Sequence, residues 1–378
     1  MKFIHLSDLH LGKRVNEVSM IEDQKYILDQ IIEIIKREEP DGVLIAGDVY
    51  DKSMPSAEAV ELFDDFLYKL TNCDTEVFVI SGNHDSAERI AYGGRLLHKS
   101  GVHMSPVYRG DAKPVVLRDE SGPVNVYLLP FIKPSTVRGI FPDKEIRDYT
   151  EAVACAIDAM DVQPAERNVL VCHQFVTGAE RCDSEEISVG GLDNVSVDVF
   201  KDFDYVALGH IHSPQEIGSH TIRYCGTPLK YSFSEAKDHK SVTVVEMGPK
   251  GEVAVRTLPL TPLHDMRELR MTYAELMERS FINSQKADDY LHIILTDEEE
   301  ITNAFHLVRS QYKNIMKFSY DNIRSKAAGW QGEDSRPEEK TPLELFSAFY
   351  ELQNGQPMNE EQNHFVSDLI DKIWEGKA

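Results

Sequence analysis

Five short polar clusters carry the residues able to do chemistry in this chain: Asp8-Leu9-His10, Gly47-Asp48, Gly82-Asn83-His84-Asp85, His173 and Gly209-His210-Ile211-His212. Each closes an apolar run of strand length. In α/β sheets ligands bind beyond the carboxyl ends of strands, so five such ends can converge on one rim. On extended backbone, residues two apart point the same way, which pairs Asp8 with His10 and His210 with His212. Glycines 47, 82 and 209 allow tight turns or close backbone approach there. The donor set is carboxylate, imidazole and one amide, without thiolate, and suits Mn²⁺, Fe²⁺ or Mg²⁺ better than a structural zinc. The candidate ligands outnumber what one open metal centre uses. They suit two cations about 3.5–4 Å apart sharing a carboxylate, an arrangement that serves hydrolysis of a phosphoester.

The elements that must position these clusters follow from hydrophobic patterning. Residues 43–46, 77–80, 126–129, 169–172 and 205–208 read as buried strands. Ile27, Leu28, Ile31, Ile32 and Ile35 recur at helical spacing, as do Val60, Phe63, Leu67 and Leu70. Strand alternating with helix predicts a layered α/β domain. Tyr224 and residues 242–246 and 253–258 read as antiparallel strands that complete it. The predicted organisation is a domain over 1–258, a small α+β domain over 262–325, a linker over 326–340 and a helical segment over 341–378. In the small domain, strands at 291–295 and 315–320 flank a helix over 301–312. In the last segment, Thr341 and Glu344 predict a capping box, and Asn359 with Gln362 a second helix start.

Composition narrows the class. A chain of 378 residues, 42% hydrophobic and 28% charged, is globular rather than collagen-like or largely disordered. Its net charge of −24 argues against a broad basic face for nucleic acid. Five cysteines without C-x-x-C spacing suggest neither a disulfide framework nor a thiolate zinc site, and fit a reducing compartment. There is no signal-peptide layout and no apolar run of about 18 residues, so a cytoplasmic protein that does not span a membrane is expected.

In order and spacing, the five clusters resemble the calcineurin-like metallophosphoesterases, whose pattern is D-x-H, G-D, G-N-H-D, H and G-H-x-H. The likeness narrows to SbcD-type DNA exonucleases, the nuclease subunits of bacterial SbcCD complexes. Carrying it are Phe3-Ile4-His5-Leu6-Ser7-Asp8-Leu9-His10-Leu11-Gly12, Gly47-Asp48-Val49-Tyr50-Asp51, Ser81-Gly82-Asn83-His84-Asp85-Ser86, and Tyr224-Cys225-Gly226-Thr227-Pro228 running into Tyr231-Ser232-Phe233-Ser234-Glu235. Thr227 stands where Ser is usual, and Ser213 where Lys is common.

The resemblance implies a metallophosphoesterase β-sandwich flanked by helices, with a capping domain and a C-terminal helical tail. It implies that Asp8, His10, Asp48 and His212 hold one Mn²⁺, while Asp48, Asn83, His173 and His210 hold a second, with Asp48 as the bridge. His84 is left without a metal and is implied to contact phosphate and protonate the leaving oxygen. It further implies 3′→5′ exonuclease and single-strand endonuclease activity on DNA, a homodimer, and an SbcC-type ATPase bound through the C-terminal helices.

Two regions outside the rim bear on partners. Residues 301–330 are locally basic, with Arg309, Lys313, Lys317, Arg324 and Lys326 against Asp321 alone, and read either as a DNA-backbone patch or as a solvated helix face. The tail carries an apolar stripe of Leu343, Phe346, Phe349 and Tyr350, then Phe365 and Leu369. It either folds back on the main domain or docks on a partner; a linked helix pair buries little by itself, which favours docking. Two other readings stay open: the same chemistry on small phosphoesters, and a mainly structural protein that docks an ATPase on DNA.

Overall fold

The structure is a computed structural model describing residues 1–185, 193–286, 288–299, 301–322, 342–354 and 356–374. The chain divides into two compact units, Met1–Met266 and Arg267–Ala378. Among the described residues no helix is long and apolar enough to cross a membrane.

In the first unit, β1 (Lys2–Leu6), β2 (Gly42–Ala46), β3 (Glu76–Ile80) and β4 (Val102–Met104) pair in parallel in that order, Phe3 lying opposite Gly42 and Val43 opposite Val77. Parallel neighbours need crossovers, and α1 (Ile21–Glu38) and α2 (Ala57–Thr71) supply the first two. The apolar face of α1 is buried at Ile27, Leu28, Ile31, Ile32 and Ile35. Lys36 and Arg37 complement the dipole in its last turn, and Glu39 ends it in the left-handed region. Ser56 caps α2 by accepting from the amide of Ala59.

A second sheet follows from β5 (Val115–Asp119), β6 (Gly122–Leu129), β7 (Arg167–His173), β8 (Tyr205–Gly209), β9 (Gln215–Ile217) and β10 (Ser219–Tyr224), in the order β9-β10-β8-β7-β6-β5, with α3 (Tyr149–Asp158) between β6 and β7. Strands β11 (Ser241–Met247) and β12 (Val253–Pro259) return to the first sheet and pair antiparallel beside β1. Strand β10 pairs parallel with β8 and antiparallel with β9, where the sequence predicts only antiparallel texture.

The core explains why these strands read as continuous apolar runs. Val124, Val126 and Leu128 of β6 join Phe3, Leu44, Phe78, Val169 and Ala207 in one cluster. Tyr127 and Leu129, on the alternate face of β6, join Val153, Leu170 and Leu208 in another. Both faces are covered, so no polar alternation survives. At the sheet edge Arg167 is buried, and its guanidinium is held by the Asp119 carboxylate and the carbonyls of Gly122, Pro123 and Gly248.

The second unit contains a three-stranded sheet of β13 (Met266–Met271), β14 (Tyr290–Leu295) and β15 (Ile315–Tyr320), with β14 and β15 parallel. Leu269, Leu276, Leu291, Ile293, Val308 and Tyr312 form its core. The helix predicted over 301–312 contracts to α4 (Ala304–Arg309), because Asn303 before it is left-handed (φ 59°) and Tyr312 beyond it points inward to donate to the Leu276 carbonyl. Arg309, Lys313 and Lys317 are exposed, with the Arg309 guanidinium over the Phe305 ring. Helices α5 (Pro342–Asn354) and α6 (Glu360–Trp374) close the chain. At the start of α6, Asn359 and Gln362 exchange hydrogen bonds between side chains and amides at 2.8 and 3.0 Å. The predicted linker 326–340, Thr341, Arg324 and Lys326 lie outside the described residues.

Candidate metal centre

All five clusters converge at one end of the paired sheets. Strand β1 stops at Leu6, and the chain then binds the loop after β2: the Asp8 amide donates to the Gly47 carbonyl, and the His10 amide to that of Asp48. The pairing of Asp8 with His10 therefore does not arise on extended backbone, as the spacing predicts. Asp8, His10 and Asp48 are left-handed at φ 52°, 44° and 47°, and His210 just beyond β8 has φ 108°. Asp and His tolerate this region better than most side chains, but it remains strained. His173 alone sits within a strand, as the last residue of β7. Gly209 is required by close approach, since a Cβ there would strike the Ala46 carbonyl.

Donor atoms of Asp8, His10 and His212 form one compact group, and those of Asp8, Asp48 and His173 another. Oδ2 of Asp48 lies 3.7 Å from His10 Nε2 and 3.4 Å from His173 Nε2. His10 Nε2 and His212 Nε2 face each other at 3.1 Å. His173 Nε2 and His210 Nδ1 each lie 2.9 Å from the Asn83 amide oxygen. All seven expected ligands are thus brought together.

These residues fit divalent cations. His173 donates from Nδ1 to the Ala46 carbonyl, leaving its Nε2 turned toward two oxygens. Burial opposes a second proton on that ring, but Asp48 overrides it and raises the His173 pKa to about 9. Burial also resists charge on Asp48, yet His173, with His10 and His84, holds that carboxyl well below its usual range. Positive charge is therefore favoured at the point between His173 Nε2, Asp48 and Asn83, where a cation would fit. At His10, His210 and His212 burial prevails and holds the pKa below the usual imidazole value, to about 3 for His210. His10 Nδ1 and His210 Nε2 are buried with no hydrogen-bond partner. Burial drives the Asp8 carboxyl up to about 8, a shift that a nearby dication would reverse.

His84 differs from the ligands. Its side chain is 15% exposed where those of His10 and His173 are 0%, so it can meet a substrate. Its Nδ1 donates to the Asp51 carbonyl at 3.0 Å, which turns Nε2 toward Asp48 Oδ2, 4.0 Å away. The neighbouring Asp85 does not support His84. Its carboxylate accepts from the amides of Val49, Tyr50 and Gly82 and staples two loops together.

Several supporting residues escape sequence reasoning. Gln24 donates to the His10 carbonyl, Tyr231 to that of Leu9, and Lys13 pairs with Asp51. Ser184, Glu185, Glu235 and Lys240 surround His212. The run from Tyr231 to Glu235 carried a signal, because it stands apart as a motif without a ligand role. Ser184 and Glu185 sit in an aperiodic polar stretch that offered none.

A family profile described as calcineurin-like phosphoesterase matches residues 1–214. Another, described as type 5 capsule protein repressor C-terminal domain, matches residues 262–354. The chain is 31% identical over 380 residues to the SbcD protein of the SbcCD nuclease from Staphylococcus epidermidis, covering 98% of this chain and all of that one. Among solved structures, a dimetal phosphatase from Danio rerio aligns over 70% of this chain and 98% of its own, at 10% identity and a TM-score of 0.37, too distant to bear on the argument.

Proposed function

The chain belongs to the calcineurin-like phosphoesterases and, among them, to the SbcD-type nucleases, and from that metal-dependent hydrolase chemistry we propose a Mn²⁺-dependent DNA nuclease working with an SbcC-type ATPase in the processing of DNA ends. In this reading it has 3′→5′ exonuclease and single-strand or hairpin endonuclease activity. Asp8, His10, Asp48 and His212 hold one ion, and Asp48, Asn83, His173 and His210 the other. When bound, two cations would supply Lewis acidity for activating a water and stabilising negative charge on the phosphoryl group. His84 contributes what the protein itself must provide. Its Nδ1 is anchored on the Asp51 carbonyl, so a proton on Nε2 is aimed into the site for a leaving 3′-oxygen.

The observation that carries this reading is the contrast between the buried carboxylate and imidazole ligands and one partly exposed histidine 4.0 Å from Asp48. Phe346, Phe349 and Phe365, exposed on α5 and α6, support docking of the ATPase partner there. Arg309, Lys313 and Lys317 support contact of the small domain with the DNA backbone. By family resemblance, the reading includes a homodimer of nuclease subunits in a bacterial cytoplasm. The test compares kcat/KM on duplex DNA ends and on nitrophenyl phosphates, with Mn²⁺. Preference for DNA, lost in Asp48→Ala, is expected. Full activity of Asp48→Ala, or preference for the small ester, overturns the proposal.

A further inference from the structure

We propose that Ser184 and Glu235 form a positioning clamp that fixes His212 in the one tautomer able to hold a metal ion. The inference rests on the reading of His212 as a ligand and goes beyond it, to residues that touch neither ion nor substrate.

The chain of hydrogen bonds has only one consistent direction. Ser184 Oγ lies 2.7 Å from Glu235 Oε1, and two oxygens so close, one of them a carboxylate, require the hydroxyl hydrogen between them. Lys240 donates to the other carboxylate oxygen at 2.6 Å, so Glu235 is held as a fully buried anion. Ser184 has no second hydrogen to give. Its 2.6 Å contact with His212 Nδ1 is therefore donated by the ring. That leaves Nε2 of His212 as a lone pair, directed to the point it shares with His10 Nε2.

The grip extends to the backbone of the same residue. The His212 amide donates to Glu185 Oε1 at 2.7 Å, and Lys240 and the Thr227 amide donate to the His212 carbonyl at 2.9 and 3.0 Å. Cys182, His212 and Glu235 also lie close enough together to suggest another ion site. Their facing atoms are already satisfied by the Ser184 hydroxyl and the Lys240 ammonium, which makes this group the clamp. Across the rim the His10 backbone is also held, but its ring has no such support. Its Nδ1 is unpartnered, and the Asp51 carboxylate stands 3.9 Å away.

Outer partners that orient a ligating histidine typically account for roughly 10–100-fold in metal affinity. Isothermal titration of the full chain with Mn²⁺ should show that loss in Ser184→Ala, with Ser184→Thr close to wild type. Activity of Ser184→Ala should recover when Mn²⁺ is raised to saturation, a split that general loss of structure would not give. In ¹⁵N spectra of the metal-free wild-type chain, His212 should carry its proton on Nδ1. Unchanged Mn²⁺ affinity in a folded Ser184→Ala protein overturns the clamp, and so does a proton on His212 Nε2, which needs no variant to observe. His212→Ala separates the two ideas. If it binds Mn²⁺ like wild type, the ligand assignment itself fails, and the clamp with it. If it loses affinity while Ser184→Ala does not, only the clamp fails.

Discussion

At the strand-end rim, Asp8, His10, Asp48, His173 and His212 are between 0 and 2% exposed, while on α5 and α6 Phe346, Phe349, Phe365 and Leu369 are 42–67% exposed. Ordinary folding places these residue types the other way round. Buried carboxylates and imidazoles that exhaust their protein partners call for an ion. Exposed aromatic rings on two helices call for another surface. The two regions therefore announce function by opposite violations of one rule, and each can be tested by supplying or removing what it lacks.

The largest effects belong to the rim. Asp48→Ala should abolish Mn²⁺-dependent cleavage, and His84→Ala should cut turnover by roughly 10²–10⁴-fold while leaving Mn²⁺ binding intact. A His84→Ala protein that also loses the ions would merge His84 with the ligands and blur the contrast. Next, Mn²⁺ at about 100 times its dissociation constant should stabilise the protein by about 2.7 kcal/mol, seen as a rise in Tm that Asp48→Ala does not show. On the tail, Phe349→Asp should weaken binding of the proposed ATPase partner by at least about 2 kcal/mol, roughly 30-fold, with hydrolysis of a small phosphodiester unchanged. Equal partner binding by wild type and variant would break the comparison on that side.

The smallest effect is a control. Arg167 is as buried as the rim, but its charge is met within the protein by Asp119 and three carbonyls. The Arg167 guanidinium holds the Asp119 carboxyl well below its usual range. A carboxyl depressed by folding contributes stability above its unfolded pKa and loses it as pH falls through the folded value. Asp119→Asn should cost roughly 1–2 kcal/mol near neutrality, less than a fully buried pair because Asp119 keeps some contact with water. Denaturant melts should show the gap from wild type closing below about pH 4, with no dependence on Mn²⁺.

Much of this was legible in sequence, for identifiable reasons. The buried strands and the faces of α1 and α2 declare themselves by apolar runs and helical spacing, because burial on both sides of the sheets leaves no polar interruption. The rim was legible because its proposed ligands sit at or just beyond strand ends. What was not legible is how they meet. The spacing of Asp8 and His10 suggested extended backbone, and the structure uses left-handed residues, which side-chain pattern does not encode. Ser184 and Lys240 were invisible for a related reason. They reach His212 from 28 positions away on either side, so their roles exist only in the folded chain.

The left-handed backbone at residues 8, 10, 48 and 210 has a consequence for selection. Each such residue is less favourable than ordinary backbone by about 1–2 kcal/mol, and glycine relieves that strain. A laboratory search that rewards heat resistance alone will tend to collect glycine at these four positions, giving sturdier proteins stripped of the side chains proposed to hold metal. A search that also demands cleavage must retain the strain and find its gains elsewhere. Comparing the two populations would map, position by position, where this fold exchanges robustness for chemistry.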